Sequence, residues 1–259
     1  RLLADEGLDI DVCMPGLGQL SRLTNLELVA ADSFDCQQLP VQLQTFKLRY
    51  SSECYNTVAE FSHLTQLQRL MLELNCEGGA VRGPLPAQFR ELDVSVGFAR
   101  TVAEAGIDIL TARQLEKLSI DFSYDDAAYL LTLCELPKLQ HMSLRYNDGD
   151  AIVAAAPAWP QLHMLRSLHC FDVDVLDLAS LQELMSCISG VQGLTHLMLE
   201  VVCLTGQGDV PAICRDIAKL HELRELSLSF TPEGGLQDAP DKFTFIPGDV
   251  QQLSSLTKL

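Results

Sequence analysis

The reactive side chains of this sequence, its serines, cysteines, histidines and lysines, do not occur in the spacings of known catalytic motifs. The sequence has no G-x-S-x-G nucleophile turn, no H-E-x-x-H metal helix and no G-x-x-x-x-G-K-[ST] phosphate loop. Its six histidines include no pair four residues apart, the spacing that puts two metal ligands on one face of a helix. We therefore expect no enzymatic activity, no cofactor and no metal site.

Three of the histidines lie instead beside short apolar-x-apolar steps that are typical of strands. His141 and His196 each precede such a step, and His169 lies inside one. Because successive strand residues point to opposite faces, the residues between the apolar ones would share one exposed face. This predicts a partner-binding surface made of His141, Arg145, His169, Phe171, His196 and Met198.

Two other interpretations of this histidine surface remain open. Three histidines can bind zinc, but His169 would lie one row away from His141 and His196, which is awkward for a shared metal. We therefore prefer protein contact to a metal site. An ordinary solvated surface is the other alternative.

The same alternation predicts a small basic cluster nearer the start of the chain. Lys47, Arg49 and Arg69 would lie on one face of two neighbouring strands, about 4.8 Å apart. Such a cluster would bind an acidic segment or a phosphate. The alternative is that Glu27 and Glu73, on the same face, neutralise it.

The elements that position these residues follow from a repeated spacing of leucines. The stretch from Leu136 to Asn147 has the pattern L-x-x-L-x-x-M-x-L-x-x-N, in which Met142 and Leu144 have the strand period. The pattern returns about every 26 residues. The first strand residues of its ten copies are Leu26, Phe46, Leu70, Leu92, Leu118, Met142, Leu168, Leu197, Leu226 and Leu259. This pattern resembles the leucine-rich repeat, although only Asn75 and Asn147 stand where that family places asparagine.

The resemblance implies an α/β leucine-rich-repeat solenoid. It would be curved, with a concave sheet of parallel strands and with loops and short helices on the convex side. We expect a single domain over residues 1–259, part of a longer chain because the tenth repeat is cut short. A further strand is predicted at 8–12, and helices are predicted at 55–62, 101–110, 127–136, 177–189 and 209–220.

The charge of the chain excludes nucleic acid as a general partner. It has 35 acidic and 18 basic residues, a net charge of −17, which would repel a phosphate backbone. A basic protein partner fits this composition better. The alternative is that the charge simply keeps the chain soluble. No apolar run approaches the roughly 18 residues that span a membrane.

The cysteines indicate a reducing compartment. There are nine, an odd number, with no C-x-x-C pair, and the chain has no N-x-[ST] glycosylation site. The clustered cysteine caps of secreted leucine-rich-repeat proteins are not visible either. We expect reduced, mostly buried thiols in an intracellular protein, cytoplasmic or nuclear.

The resemblance implies a non-catalytic protein-interaction module or scaffold that binds its partner on the concave sheet. One form is the recognition part of an intracellular adaptor or of a ubiquitin-ligase substrate receptor. The alternatives are the ligand-sensing array of an immune or cell-surface receptor and a structural subunit of a large assembly. The domains that flank this segment in the full-length gene would discriminate among them.

Overall fold

The computed structural model describes nine stretches of the chain: residues 16–30, 35–50, 58–74, 80–96, 107–122, 131–146, 156–174, 178–202 and 210–231. The chain divides into two compact units. The first contains residues 1–121 and 136–139, and the second contains residues 122–135 and 140–259.

The described part of the first unit is built on parallel strands and a leucine core. Its strands are β1 (Asn25–Ala30), β2 (Thr45–Tyr50), β3 (Val58–Glu60), β4 (Arg69–Leu74), β5 (Ala80–Arg82), β6 (Glu91–Val96) and β7 (Lys117–Phe122, whose last residue falls in the second unit). The main sheet has the order β1-β2-β4-β6-β7. The two inward residues of each of these five strands, such as Leu26 and Leu28, are at most 3% exposed. The predicted strand alternation is confirmed here.

A second, two-stranded sheet in this unit corrects one prediction. Strand β3 pairs in parallel with β5, so that Ala59 faces Val81 and both are buried. The helix predicted at 55–62 is therefore wrong, since its described part is the strand β3 and a turn. Three residues are too few to show a strand period, and the partner strand lies more than twenty residues further along the chain.

Four parallel strands and two helices make up most of the described part of the second unit. The strands are β8 (His141–Tyr146), β9 (Ser167–Asp174), β10 (His196–Val202) and β11 (Glu225–Thr231), in that order. Helix α1 (Leu178–Ile188) precedes β10, and helix α2 (Val210–Ala218) precedes β11. Helix α1 buries Leu181, Leu184, Met185 and Ile188, which share one face at helical spacing. The helices predicted at 177–189 and 209–220 are thus confirmed.

Strand β9 contains a bulge that the sequence pattern does not indicate. Leu199 of β10 pairs with Cys170, but Val201 pairs with Val173, so Phe171 and Asp172 together lie opposite Glu200. Cys170 and Val173 are both fully buried. The core therefore continues on both sides of the bulge, and the extra residue is inserted at Phe171 and Asp172. Bulges of this kind change the direction of a side chain and are common beside functional sites.

The remaining helix predictions have mixed outcomes. Within 101–110 the described residues contain only the start of a short 3-10 helix, Ile109–Thr111, so no α-helix is found there. Within 127–136, residues 131–133 are helical. Other 3-10 helices are Cys36–Gln38 and Ala156–Gln161. The predicted strand at 8–12, Asn75, Asn147 and the tenth repeat lie outside the described residues.

The predicted fold class is confirmed in the described residues as an α/β architecture of repeated parallel strands. Its helices follow the later strands, as the longer spacings there indicated. None of the helices in the described stretches has the length and apolar character that a membrane crossing requires.

Candidate partner-binding surface

The open face of the second unit is the sheet face opposite the leucine core, and the strand register arranges it in rows. One row runs His141, Ser167, His196 and Glu225, and the next runs Ser143, His169, Met198 and Ser227. A third row begins with Arg145 and Phe171. His141 and His196 are exposed, whereas Leu144 and Leu199 are at most 1% exposed. The structure thus brings the predicted residues to one face, with His169 one row away from the other two histidines, as predicted.

Phe171 is the aromatic centre of this face, and its neighbours on the sheet partly cover it. The Phe171 ring packs edge-on against the His169 ring, with 3.9 Å between ring centroids and 83° between ring planes. The Arg145 guanidinium carbon lies 5.4 Å from the Phe171 centroid, a cation–π arrangement. Phe171 is consequently only partly exposed, although it lies on the face that the sequence predicted.

His169 connects this aromatic centre to a carboxylate. Its Nε2 atom is enclosed and lies 3.5 Å from Glu200 Oε1. Burial lowers the pKa of His169, and the nearby Glu200 carboxylate opposes this effect only in part. Burial therefore favours the neutral form of the ring.

The second half of the surface is more exposed. The Met198 side chain is 37% exposed, one of the largest apolar exposures in the described chain. Next to it in the sheet, His196 Nε2 lies 3.3 Å from Glu225 Oε2, and the Thr195 hydroxyl lies 2.8 Å from His196 Nδ1. No group of three or more metal-binding side chains in the described stretches is arranged to hold a metal ion. The arrangement is suited to contact with a partner that has both apolar and polar groups.

The open face of the first unit has a different character, because its cations are ion-paired. Lys47 Nζ lies 3.4 Å from Glu73 Oε1 and 3.9 Å from Glu27 Oε1. Arg49 Nε lies 2.9 Å from the same Glu73 oxygen. Arg69 and Lys117 both pair with Glu91, at 3.2 and 3.3 Å. The predicted cluster of Lys47, Arg49 and Arg69 does form, but the carboxylates neutralise it, which favours the alternative interpretation.

The cysteines of the described stretches are free thiols and are not poised for chemistry. They are Cys36, Cys134, Cys170, Cys187 and Cys214, and no disulfide links any of them. Burial raises the pKa of Cys36 to about 12, and it also raises the pKa of the fully buried Cys170. Thiols with raised pKa values are poor nucleophiles. Cys13, Cys54, Cys76 and Cys203 lie outside the described residues.

Comparison with known proteins gives only distant structural similarities. No protein-family model matches the chain, and no curated protein matches it. Among solved structures it is similar to an internalin C2 (inlC2) from Listeria monocytogenes str. 4b F2365, with 16% identity, a TM-score of 0.36, and coverage of 71% of this chain and 74% of that chain. It is also similar to the functional domain of InlJ from Listeria monocytogenes, which includes a cysteine ladder, with 14% identity, a TM-score of 0.20, and coverage of 82% and 64%. The fold class rests on the strand order and register described above.

Proposed function

We propose that this chain is a non-catalytic protein-interaction module whose partner contacts the open face of the second unit, centred on Phe171 and Met198. The observation that carries the proposal is the bulge in β9, which inserts an extra residue at Phe171 while the core continues through Cys170 and Val173. An aromatic ring that the core does not need, beside a 37% exposed methionine, is typical of an interface anchor.

The contrast between the two open faces supports the second unit as the contact surface. Lys47, Arg49 and Arg69 on the first unit each face a carboxylate, so a partner would have to displace ion pairs that already exist. On the second unit, a partner would cover apolar surface at Phe171 and Met198. Burial of apolar surface is the dominant favourable term in most protein–protein association.

We further propose that the module acts inside the cell, as the recognition part of an adaptor or of a ubiquitin-ligase substrate receptor. The five described cysteines are free, which suits a reducing compartment, where thiols persist. The net charge of −17 disfavours nucleic acid as the partner, because a surface with this excess of carboxylates repels a phosphate backbone.

Substitution Phe171→Ala tests the proposed surface. The immobilised chain would capture proteins from an extract of the source organism, and the affinity of each captured protein would then be measured with purified components. Phe171→Ala should raise the Kd at least about fivefold, a loss of about 1 kcal/mol. The unfolding midpoint should stay nearly unchanged, because the ring lies outside the core.

Met71→Ala is the matched control, since Met71 is a partly exposed apolar residue on the open face of the first unit. It should leave the Kd unchanged. The proposal fails if Phe171→Ala binds every captured partner as well as the native chain does. It also fails if Phe171→Ala unfolds the protein, because Phe171 would then be a core residue.

A further inference from the structure

One histidine of the first unit is held with both ring nitrogens away from solvent. His63 lies in the turn between β3 and β4. The residue as a whole is half-buried, but its Nδ1 and Nε2 atoms are both enclosed by the protein. On either side of it, Phe61 and Leu64 are at most 1% exposed and fix the turn on the core. A charged ring in this position would lose its hydration, which costs free energy.

The 3-10 helix Cys36–Gln38 packs against β3 and the His63 turn. The backbone of Cys36 lies beside the His63 ring, and the Cys36 thiol lies beside the backbone of Glu60. Cys36 is only 2% exposed, and burial raises the pKa of its thiol to about 12, so the thiol is uncharged near neutral pH. The enclosed position of His63 and the burial of Cys36 therefore belong to the same contact.

The charged groups that face His63 are two carboxylates, and each has another hydrogen-bond partner. Asp35 accepts a hydrogen bond of 2.9 Å from a backbone N–H of the 3-10 helix. Glu60 accepts one of 2.7 Å from the Ser62 hydroxyl, and its strand partner on β5 is the exposed Arg82. Burial lowers the pKa of His63, and the two carboxylates offset this effect only in part.

Mild acid weakens the enclosed position of the His63 ring. A histidine ring released into solvent binds a proton with the ordinary pKa of about 6.5. The enclosed ring resists protonation, because burial lowers its pKa. Below about pH 6.5 the released state therefore gains a proton that the enclosed state does not bind, and the equilibrium shifts toward release. The enclosed state keeps its full stability above this pH and loses stability as the pH falls.

We propose that His63 is an acid-sensitive switch in the first unit: when its ring takes up a proton from solvent, it leaves the enclosed position, pairs with the Glu60 carboxylate and uncovers Cys36. Glu60 is exposed and lies three residues before His63 in the chain, so the released ring can reach it in solvent. The switch is separate from the proposed partner surface, because all of its residues belong to the first unit.

Labelling of Cys36 at two pH values tests this inference on the full chain. The probe is 4,4′-dithiodipyridine, which forms a mixed disulfide with a thiol and releases 4-thiopyridone in mildly acidic as well as neutral solution. Peptide mass spectrometry then gives the rate at which Cys36 is modified, relative to N-acetylcysteine at the same pH. This relative rate should be several times higher at pH 5 than at pH 7.5. The increase can reach at most about thirtyfold, the limit that an ordinary histidine pKa of about 6.5 sets.

Two uncharged replacements of His63 decide whether this ring is the responsible group. His63→Phe keeps a ring in the enclosed position, and His63→Gln keeps a polar side chain. Each should remove the acid-induced increase at Cys36. His221→Gln, at an exposed histidine in the turn before β11, is the matched control and should keep it. If His63→Phe already exposes Cys36 at pH 7.5, His63→Gln decides. The inference is wrong if the native rate is the same at both pH values, or if the increase persists in His63→Gln.

Discussion

Replacement of Leu168 by alanine is expected to lower the free energy of unfolding by about 2–5 kcal/mol. Leu168 is on the inward side of β9 and is 1% exposed. It lies opposite Met142 on β8 and Leu197 on β10, which are equally buried. Alanine would remove most of the buried Leu168 side chain and leave a cavity. The strands paired on both sides of β9 hold the backbone in place, so the cavity cannot close.

The unfolding of this unit can be followed by tryptophan fluorescence. Trp159 is the only tryptophan of the chain and is completely buried in the second unit, so its fluorescence will change on denaturation. Ser167→Ala is the matched control, because Ser167 precedes Leu168 on the same strand but faces the open side. It should change the stability by less than about 0.5 kcal/mol. Equal losses for the two variants would show that the alternation assigned to β9 is wrong.

Replacement of Phe46 by alanine is expected to cost more, about 3–5 kcal/mol. Phe46 is completely buried between Leu26 and Leu70 on the neighbouring strands. Its ring also meets the buried ring of Phe61, with 6.0 Å between centroids in an edge-on arrangement. The change therefore removes contacts to the main sheet and to the residue that follows β3.

Far-ultraviolet circular dichroism during denaturation measures this loss. Thr45→Ala is the control, since Thr45 is the neighbouring residue on the open face and is only partly buried. If Phe46→Ala unfolds at the same denaturant concentration as Thr45→Ala, Phe46 does not contribute to the core as described. A larger loss for Thr45→Ala would indicate that β2 faces the other way.

The main strands could be predicted because each leaves a local signal. Leu26 and Leu28, or Leu197 and Leu199, show the strand period within three residues, and the repeat gives the same signal many times. Helix α1 was predictable for a similar reason, since Leu181, Leu184, Met185 and Ile188 recur at helical spacing. Binary pattern therefore indicates which side chains of β1, β10 and α1 are buried, although Leu226 and Leu228 of β11, which show the same pattern, are only partly buried.

Features that depend on the pairing of distant residues could not be predicted. Strand β3 is three residues long, and its pairing with β5 is a property of the folded chain. The bulge at Phe171 depends on how many residues of β9 lie opposite β10, which no local pattern records. The Arg145 and His169 contacts that cover Phe171 follow from the same register.

The residues that share the candidate surface could be predicted, but the contacts between them could not. Alternation placed His141, His169, His196 and Met198 on one face, and the register agrees. The role of Glu200 as the anion beside His169 did not follow from the pattern. Neither did Glu91, which pairs with Arg69 and Lys117, because such a contact requires the alignment of two neighbouring strands.

The most direct test of the proposed surface follows the carbon-13 methyl signals of the methionines by NMR while a captured protein partner is added. Met198 and Met164 are almost equally exposed, at 37% and 36%, but Met164 lies on the turn before β9 and outside the open face. Met142 and Met185 are buried. The proposed surface predicts that the Met198 signal shifts or broadens and that the signals of Met142, Met164 and Met185 stay unchanged. A partner that shifts the Met164 signal and leaves Met198 unchanged would contradict it.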